Sequence, residues 1–432
     1  MTRKETRMRG NRVRHHRLMR PVAAIAVAAA LAAAASCSTK ADEEPPAEST
    51  SGPVKTGPGI EGNVITLGVL TDFTGLNAAS GKEVTEGQRI FWDQVNADGG
   101  ICDRFTVELE VKDHGYNVQT AVSQYAEISG DVLSFVQVLG SGMATALIPE
   151  LEKDGLIGIP LAWAKNLAAS ENYAVIGPTY DVETINGLDY LLKEGLISEG
   201  GKIGHIFHDS EYGNNALEGS KFFAQQHGMT VVEQRIGPAE PDMTSRVTAL
   251  AAENVSAIVL TTQPSQTAGV AAAAVGAGLN VPLLGNGPTH IPSLLDTPAR
   301  DALIEHFYLV GPTGGVGLEP AADLLKAYQT KFPGVEPSNS VVTGYATSKV
   351  MDLILEKACA DGDLTPAGVL AAKAAVSPVD TGGLTGELDF SKPGSSPSRQ
   401  DFIARPKPGV PGGTEGVEAS YEGPTVDSYV RS

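Results

Sequence analysis

The residues best placed to do chemistry are Gly140, Ser141 and Gly142, a tight turn between an apolar run and a helical pattern. Glycines on both sides of Ser141 let a ligand approach the backbone, and the first N–H groups of the following helix have no partner within it. Such a turn seats a carboxylate or another anionic or carbonyl oxygen. An ordinary strand-to-helix corner has the same composition. Ser141 does not read as a nucleophile, because Leu139 and Met143 stand where a nucleophile elbow needs glycines. Nothing in the sequence requires a general acid or base beside it, so the chain is not expected to be an enzyme. Trp163 closes a second apolar run, where it suits a ligand wall or hinge packing equally, and Tyr212 opens a helix from a loop. His205 and His208 lie three apart on a strand and face opposite ways, and no Cys/His cluster has zinc spacing. Neither metal nor cofactor is expected.

The elements that carry these residues alternate. Strand patterns at 64–70, 105–112, 132–139, 156–163, 202–208, 230–236, 257–262, 282–285 and 307–310 are separated by helical patterns, with a further short strand at 173–176. This predicts an α/β chain with mostly parallel sheets flanked by helices. The repeats are too many for one sheet, so two lobes are expected. Long helices follow at 320–332 and 340–359, then one at 366–375 with Thr365 as N-cap and a proline in the first position. Short closing strands are expected at 387–390 and 400–404, and an irregular tail from Lys407.

The chain has 432 residues and a mean hydropathy of −0.05, enough for two cores. Residues 1–36 read as a signal peptide: eight Lys or Arg, then an alanine-rich run too short to span a membrane comfortably. Small residues before Cys37 resemble a bacterial lipoprotein cleavage site, with Ala34 where leucine is usual. Lipid on Cys37 would anchor the protein outside the cell membrane; plain secretion after Ala35 is the alternative. Residues 37–61 read as a flexible tether. In it Gly57, Gly59 and Gly62 have dinucleotide-fingerprint spacing, but they precede the first strand and cannot connect it to a helix. Beyond residue 36 there are 24 basic and 50 acidic residues, a charge near −26 that repels phosphate backbones and excludes nucleic acid as a partner.

Several segments in order resemble the leucine/isoleucine/valine-binding family of type I periplasmic binding proteins, which serve ABC importers. They are ITLGVLTDFTG from Ile65, VNADGGI from Val95, the GSG turn followed by LEKDGLIGIP, HDSEYG from His208, and VVTGYATSKVMDLILEKA from Val341. The resemblance implies two α/β lobes joined by three crossovers, one from residues 62–181 with 312–432, the other from 182–311. It places a solute in the cleft between them and ABC permease subunits as partners of a monomer outside the cell membrane. It implies Ser141, with Gly142, at the ligand carboxylate, Ala162 and Ala164 beside its amine, and Tyr212, Gln263, Asn286 and Tyr345 elsewhere in the cleft. Without the resemblance Tyr345 reads as core, since it lies within an apolar helix.

One departure bears on the ligand. Where members that bind α-amino acids carry an acidic residue for the ammonium, this chain has Gly287, beside Asn286. A buried ammonium without a carboxylate is costly, so an amino-acid ligand requires Asp72, Asp181 or Glu211 instead. A small polar ligand with a carboxylate or amide group is therefore expected, branched-chain amino acids included. An extracytoplasmic sensor with the same cleft is the alternative; the chain shows no second span or signalling domain. The implied fold also puts Cys102 and Cys359 in the first lobe, where an exported protein would bridge them.

Overall fold

The computed structural model describes residues 54–238 and 240–429. The signal peptide, Cys37 and the first part of the expected tether lie outside them. The chain runs β1 (Lys55–Thr56), β2 (Ile60–Glu61), β3 (Val64–Thr71), α1 (Ala78–Ala97), β4 (Thr106–Asp113), α2 (Val118–Ile128), β5 (Ser134–Leu139), α3 (Ser141–Asp154), β6 (Gly158–Leu161) and α4 (Lys165–Ala169). It continues through α5 (Tyr180–Lys193), β7 (Lys202–His208), α6 (Glu211–Gln226), β8 (Thr230–Ile236), α7 (Thr244–Ala252), β9 (Ala257–Thr261), α8 (Pro264–Gly276), β10 (Leu283–Asn286), α9 (Arg300–His306) and β11 (Phe307–Gly311). Then come α10 (Ala322–Lys331), α11 (Ser340–Ala360), β12 (Asp363–Leu364), α12 (Pro366–Ala375), β13 (Asp401–Pro406) and β14 (Thr414–Tyr421).

Among the described residues β2, β3, β4, β5 and β6 form one sheet and β7 to β11 with β13 and β14 another. Strands β3 to β6 pair in parallel, as do β7 to β11, because each α-helical crossover returns the chain to the same end of the sheet. Each sheet is one lobe of a two-lobed fold. The first buries Leu67, Val138 and Ile159; the second buries Ile203, Val259 and Leu284 on one face and Ile258 and Leu260 on the other.

Four expectations are corrected. Residues 55–61 are not tether: β1 pairs with β12, β2 turns back on β3, and Val54 and Ile60 pack on the first-lobe core. The tail does not stay with the first lobe. Strands β13 and β14 extend the second sheet from β11, and three crossovers starting in the first lobe must end in the second. Nor is it irregular after Lys407, where β14 forms with an exposed, polar face. The short strands expected at 173–176 and 387–390 are reduced to single bridges, Gly158 to Tyr173 and Val379 to Leu388.

Helices α1 and α11 present their N-terminal turns to the cleft, and two glycines let them touch. A Cβ on Gly344 would lie 1.9 Å from the Val84 carbonyl oxygen, and one on Gly87 2.1 Å from that of Val341. At the ends of the same lobe Cys102 and Cys359 form a disulfide with Cα atoms 6.0 Å apart, within the usual span of such bridges. Denatured, unreduced C37S protein isolated from an oxidising compartment should therefore react with no thiol reagent. Two titratable thiols would show the pair to be open.

Candidate functional site

A cavity of about 390 Å³ lies between the lobes. Its first wall is built by the β5–α3 corner. Strand β5 is buried along its whole length, and Gly140 turns the chain with φ +100. A Cβ there would meet Met143 at 2.2 Å and the Tyr116 ring at 2.9 Å, so only glycine makes this corner. Helix α3 starts at Ser141 with no side-chain cap. Ser141 is buried and lines the cavity beside Tyr180, whose hydroxyl it meets.

Tyrosines form the next layer. Tyr116 lines the cavity with its hydroxyl at Asn77, and its N–H donates to His114 Nδ1 at 3.0 Å. Tyr180 opens α5, its N–H donating to the Trp163 carbonyl at 2.8 Å. Its ring lies 4.8 Å from that of Tyr212 and 6.1 Å from that of Trp163. Burial pushes the phenols of Tyr116, Tyr180 and Tyr212 above their ordinary pKa, so they stay protonated and can donate. Trp163 lines the cavity, and its Nε1 donates to the Ile176 carbonyl of the crossover at 3.1 Å.

The second lobe supplies Gln263, Gly287 and His290. Gln263 precedes α8, its N–H donating to Gln266 Oε1 at 3.0 Å. His290 is 9 % exposed, stacks on Phe307 at 5.9 Å, and leaves Nε2 without a partner. Burial lowers its pKa to about 4, which keeps it neutral. Behind this wall the Tyr212 hydroxyl donates to Asn286 Oδ1 at 2.5 Å, and Asn286 Nδ2 donates to Glu183 Oε2 at 3.4 Å.

Of the residues expected at the ligand, Ser141, Trp163, Tyr212 and Gln263 line the cavity, and Asn286 supports it from behind through Tyr212. Four do not meet it. Gly142 faces α2, where a Cβ would touch Val118 at 3.5 Å. Ala162 and Ala164 are buried in the core because the extended backbone alternates, sending Leu161 and Trp163 to the cavity instead. On α11 Ser340 and Thr343 line the cavity; Tyr345, about 200° further round the helix, packs on Phe91 and donates to Gln94 Oε1 at 2.8 Å. Sequence reading missed Asn77, Tyr116, Tyr180, His290 and Thr343. Tyr180 had a signal, since it begins the helix that receives the crossover.

Charge is nearly absent from the wall. Glu418 is the one Asp, Glu, Lys or Arg among the described residues that lines the cavity, at the β14 end, and its carboxylate pairs with Lys193 at 3.0 Å. The three candidates for an ammonium partner are committed elsewhere. Asp72 accepts from the N–H groups of Thr74, Gly75 and Asn77; Asp181 accepts from Thr179 and from the Tyr429 hydroxyl; Glu211 is exposed. Glu183 is buried behind Asn286, and desolvation together with Asp401 raises its pKa well above the carboxylate range.

Comparison with known proteins gives a consistent picture. A family model described as periplasmic binding protein matches residues 64–411. The Leu/Ile/Val-binding protein homolog 3 of Brucella melitensis is 26% identical over 358 residues, covering 78% of this chain and 90% of that protein. The solved fatty acid ABC transporter substrate-binding protein from Thermomonospora curvata is 38% identical with a TM-score of 0.83, covering 87% of this chain and 97% of that one. A branched chain amino acid ABC transporter protein from Thermus thermophilus, solved with bound valine, has the same fold at 18% identity and a TM-score of 0.74, covering 85% and 99%.

Proposed function

We propose, for a chain that belongs to the periplasmic binding protein family, that the solute it captures is a carboxylate with an apolar body and no ammonium group. Substrate-binding proteins of this family bind small solutes outside the cytoplasm and hand them to ABC permease subunits. The observation that carries the ligand class is the pairing of a donor-rich turn with an aromatic wall, where the one carboxylate lining the cavity, Glu418, is at the far β14 end and paired with Lys193. The uncapped start of α3, the Ser141 hydroxyl and the protonated phenols of Tyr116 and Tyr180 are donors for an anion, each charge-assisted hydrogen bond contributing about 1.5–3 kcal/mol. An ammonium in the same place would be desolvated with no counter-charge. The fatty acid named for the Thermomonospora curvata relative supports the same class.

Binding then works by closure. A ligand touching Ser141 on one lobe and Gln263 and His290 on the other stabilises the state in which both reach it, by its difference in affinity for the two states. Lipid on Cys37 would hold the protein at the outer face of the cell membrane. Calorimetry with octanoate, benzoate and leucine tests the ligand class. Octanoate should bind at least about tenfold more tightly than leucine, and Ser141→Ala should weaken it about tenfold while the protein stays folded. Tighter binding of leucine would overturn the reading.

A further inference from the structure

Behind the second-lobe wall lie two carboxyls that solute binding, as described so far, does not use. Glu183 stands in the first turn of α5, just past the crossover that enters it, and Asp401 begins β13, where the last crossover enters the second lobe. Both side chains are sealed from solvent, at 1 % and 0 % exposure. Each has one oxygen in a hydrogen bond: Asn286 Nδ2 donates to Glu183 Oε2 at 3.4 Å, and Asn186 Nδ2 to Asp401 Oδ2 at 2.8 Å. Glu183 Oε1 and Asp401 Oδ1 receive nothing. A buried carboxyl oxygen without a donor is a place for a proton, since the protonated acid needs one acceptor bond fewer than the ion.

The pair is connected to the solute cavity. From Glu183 the bonded path runs through Asn286 to the Tyr212 hydroxyl, and the Tyr212 ring lies 4.8 Å from that of Tyr180, whose hydroxyl meets Ser141. No cation faces the two carboxyls. Asp181 and Asp189, on the same helix, accept from the Tyr429 and Thr425 hydroxyls, and Lys193 beyond them is taken by Glu418. Tyr421 stands opposite Asp401 in the register of β13 and β14. Arg399 reaches away to Glu422 and Asp427, and Arg405, over the Tyr308 ring, donates to the carbonyls of Ile304 and Glu305.

The other titratable groups near the cavity keep one charge through neutral pH. Burial raises the phenols of Tyr116, Tyr180 and Tyr212 and lowers the imidazoles of His114, His208 and His290, so all six are neutral there. Glu83, whose carboxylate accepts from Ser338 on the first-lobe side, is the other carboxyl beside the cavity that burial raises.

We infer that Glu183 and Asp401 form a proton site coupled to the cavity: a carboxylate solute at Ser141 and a proton at the pair each strengthen the binding of the other, so that capture is tightest in acidic surroundings. This rests on the carboxylate reading above. The sign follows from charge. Asp401, pushed up to about 7, loses its proton as pH rises through that value, and the pair then carries a negative charge that opposes the solute's own. By reciprocity a bound solute holds the proton to a higher pH. Like charges on the order of 10 Å apart at an effective dielectric of about 20 shift an equilibrium about tenfold.

Calorimetric titration with octanoate between pH 6 and 8.5, where octanoate itself stays ionised, tests the coupling. In the wild type affinity should fall about tenfold across the range. Near pH 7, runs in buffers of different ionisation enthalpy should show a fraction of a proton taken up with each solute, a readout that needs no variant. The double variant Glu183→Gln, Asp401→Asn leaves Glu83 in place and should bind at every pH as the wild type does at pH 6, with that uptake abolished. Affinity in the wild type that is flat with pH, or a fall that persists undiminished in the folded double variant, would overturn the proton site and leave the carboxylate reading standing. A wild type that binds neither octanoate nor benzoate would overturn both.

Discussion

Gly287→Asp is expected to exchange the preferred ligand, lowering octanoate affinity about a hundredfold and creating measurable binding of leucine. The position lines the cavity, a Cβ built there meets nothing within 4 Å, and its φ is not left-handed. A carboxylate can therefore enter without displacing a neighbour. Two like charges about 6 Å apart at an effective dielectric of about 20 repel by about 3 kcal/mol, which is the opposition expected where the new carboxylate comes that near the ligand's. The same charge supplies what an α-ammonium lacks in the native wall, where Asp72 and Asp181 accept hydrogen bonds elsewhere and Glu183 lies behind Asn286, its pKa raised by burial. Gly287→Asn separates charge from bulk, since it fills the same space uncharged. Calorimetry of both variants decides the matter: equal losses in Asp and Asn would mean that Gly287 is needed for room alone.

That this position is a glycine was visible in the sequence; that its surroundings are uncharged was not. The sequence shows local regularities, and the parts of the molecule built from them were readable. Strands β5 and β6 are largely apolar runs, interrupted in β5 by the buried Ser134 and Gln137, because both faces of a parallel sheet are covered, and the start of α12 was marked by Thr365, whose hydroxyl accepts from Gly368 N–H. Strand β14 hid for the opposite reason. It is an outer strand whose residues from Glu415 to Ser420 are largely exposed, so no apolar alternation betrays it.

The cleft divides in the same way. Ser141 and Trp163 sit at corners of the repeating unit and were found from it. Tyr116, Tyr180 and His290 come from three separate connections, and their meeting depends on how the two sheets face each other. The choice between Leu161 or Trp163 and Ala162 or Ala164 turns on a register shift of one residue, which position-by-position resemblance did not resolve.

Asp401→Asn is expected to remove a large part of the pH dependence of stability. Asp401, on β13, is fully buried; Asn186 Nδ2 donates to its Oδ2 at 2.8 Å, while Oδ1 has no partner. Glu183 on α5 is buried beside it, with Oε1 likewise unpartnered. The groups facing the pair are Asp181 and Asn186 on α5 and Asn286 at the end of β10; the nearby Arg399 is engaged by Glu422 and Asp427. With burial uncompensated by a cation, the pKa of Asp401 is pushed up to about 7 and that of Glu183 well above its ordinary value.

The sign follows. An unfolded aspartate titrates near about pH 4, so below that pH both states hold the proton and the folded protein bears no cost. Between about pH 4 and 7 the unfolded chain releases its proton while the folded one retains it, and stability falls as pH rises. The fall approaches about 4 kcal/mol for a shift of this size acting alone. An asparagine cannot ionise, and its carbonyl can still accept from Asn186. Denaturant titrations at pH values across that window should therefore show Asp401→Asn gaining on the wild type by about 2–4 kcal/mol from the acid to the neutral end. Glu183→Gln should recover part of the same gain, and the double variant less than the sum, because the two carboxyls release their protons as a pair. A stability difference that stays constant with pH would mean that neither carboxyl holds a proton in the folded protein.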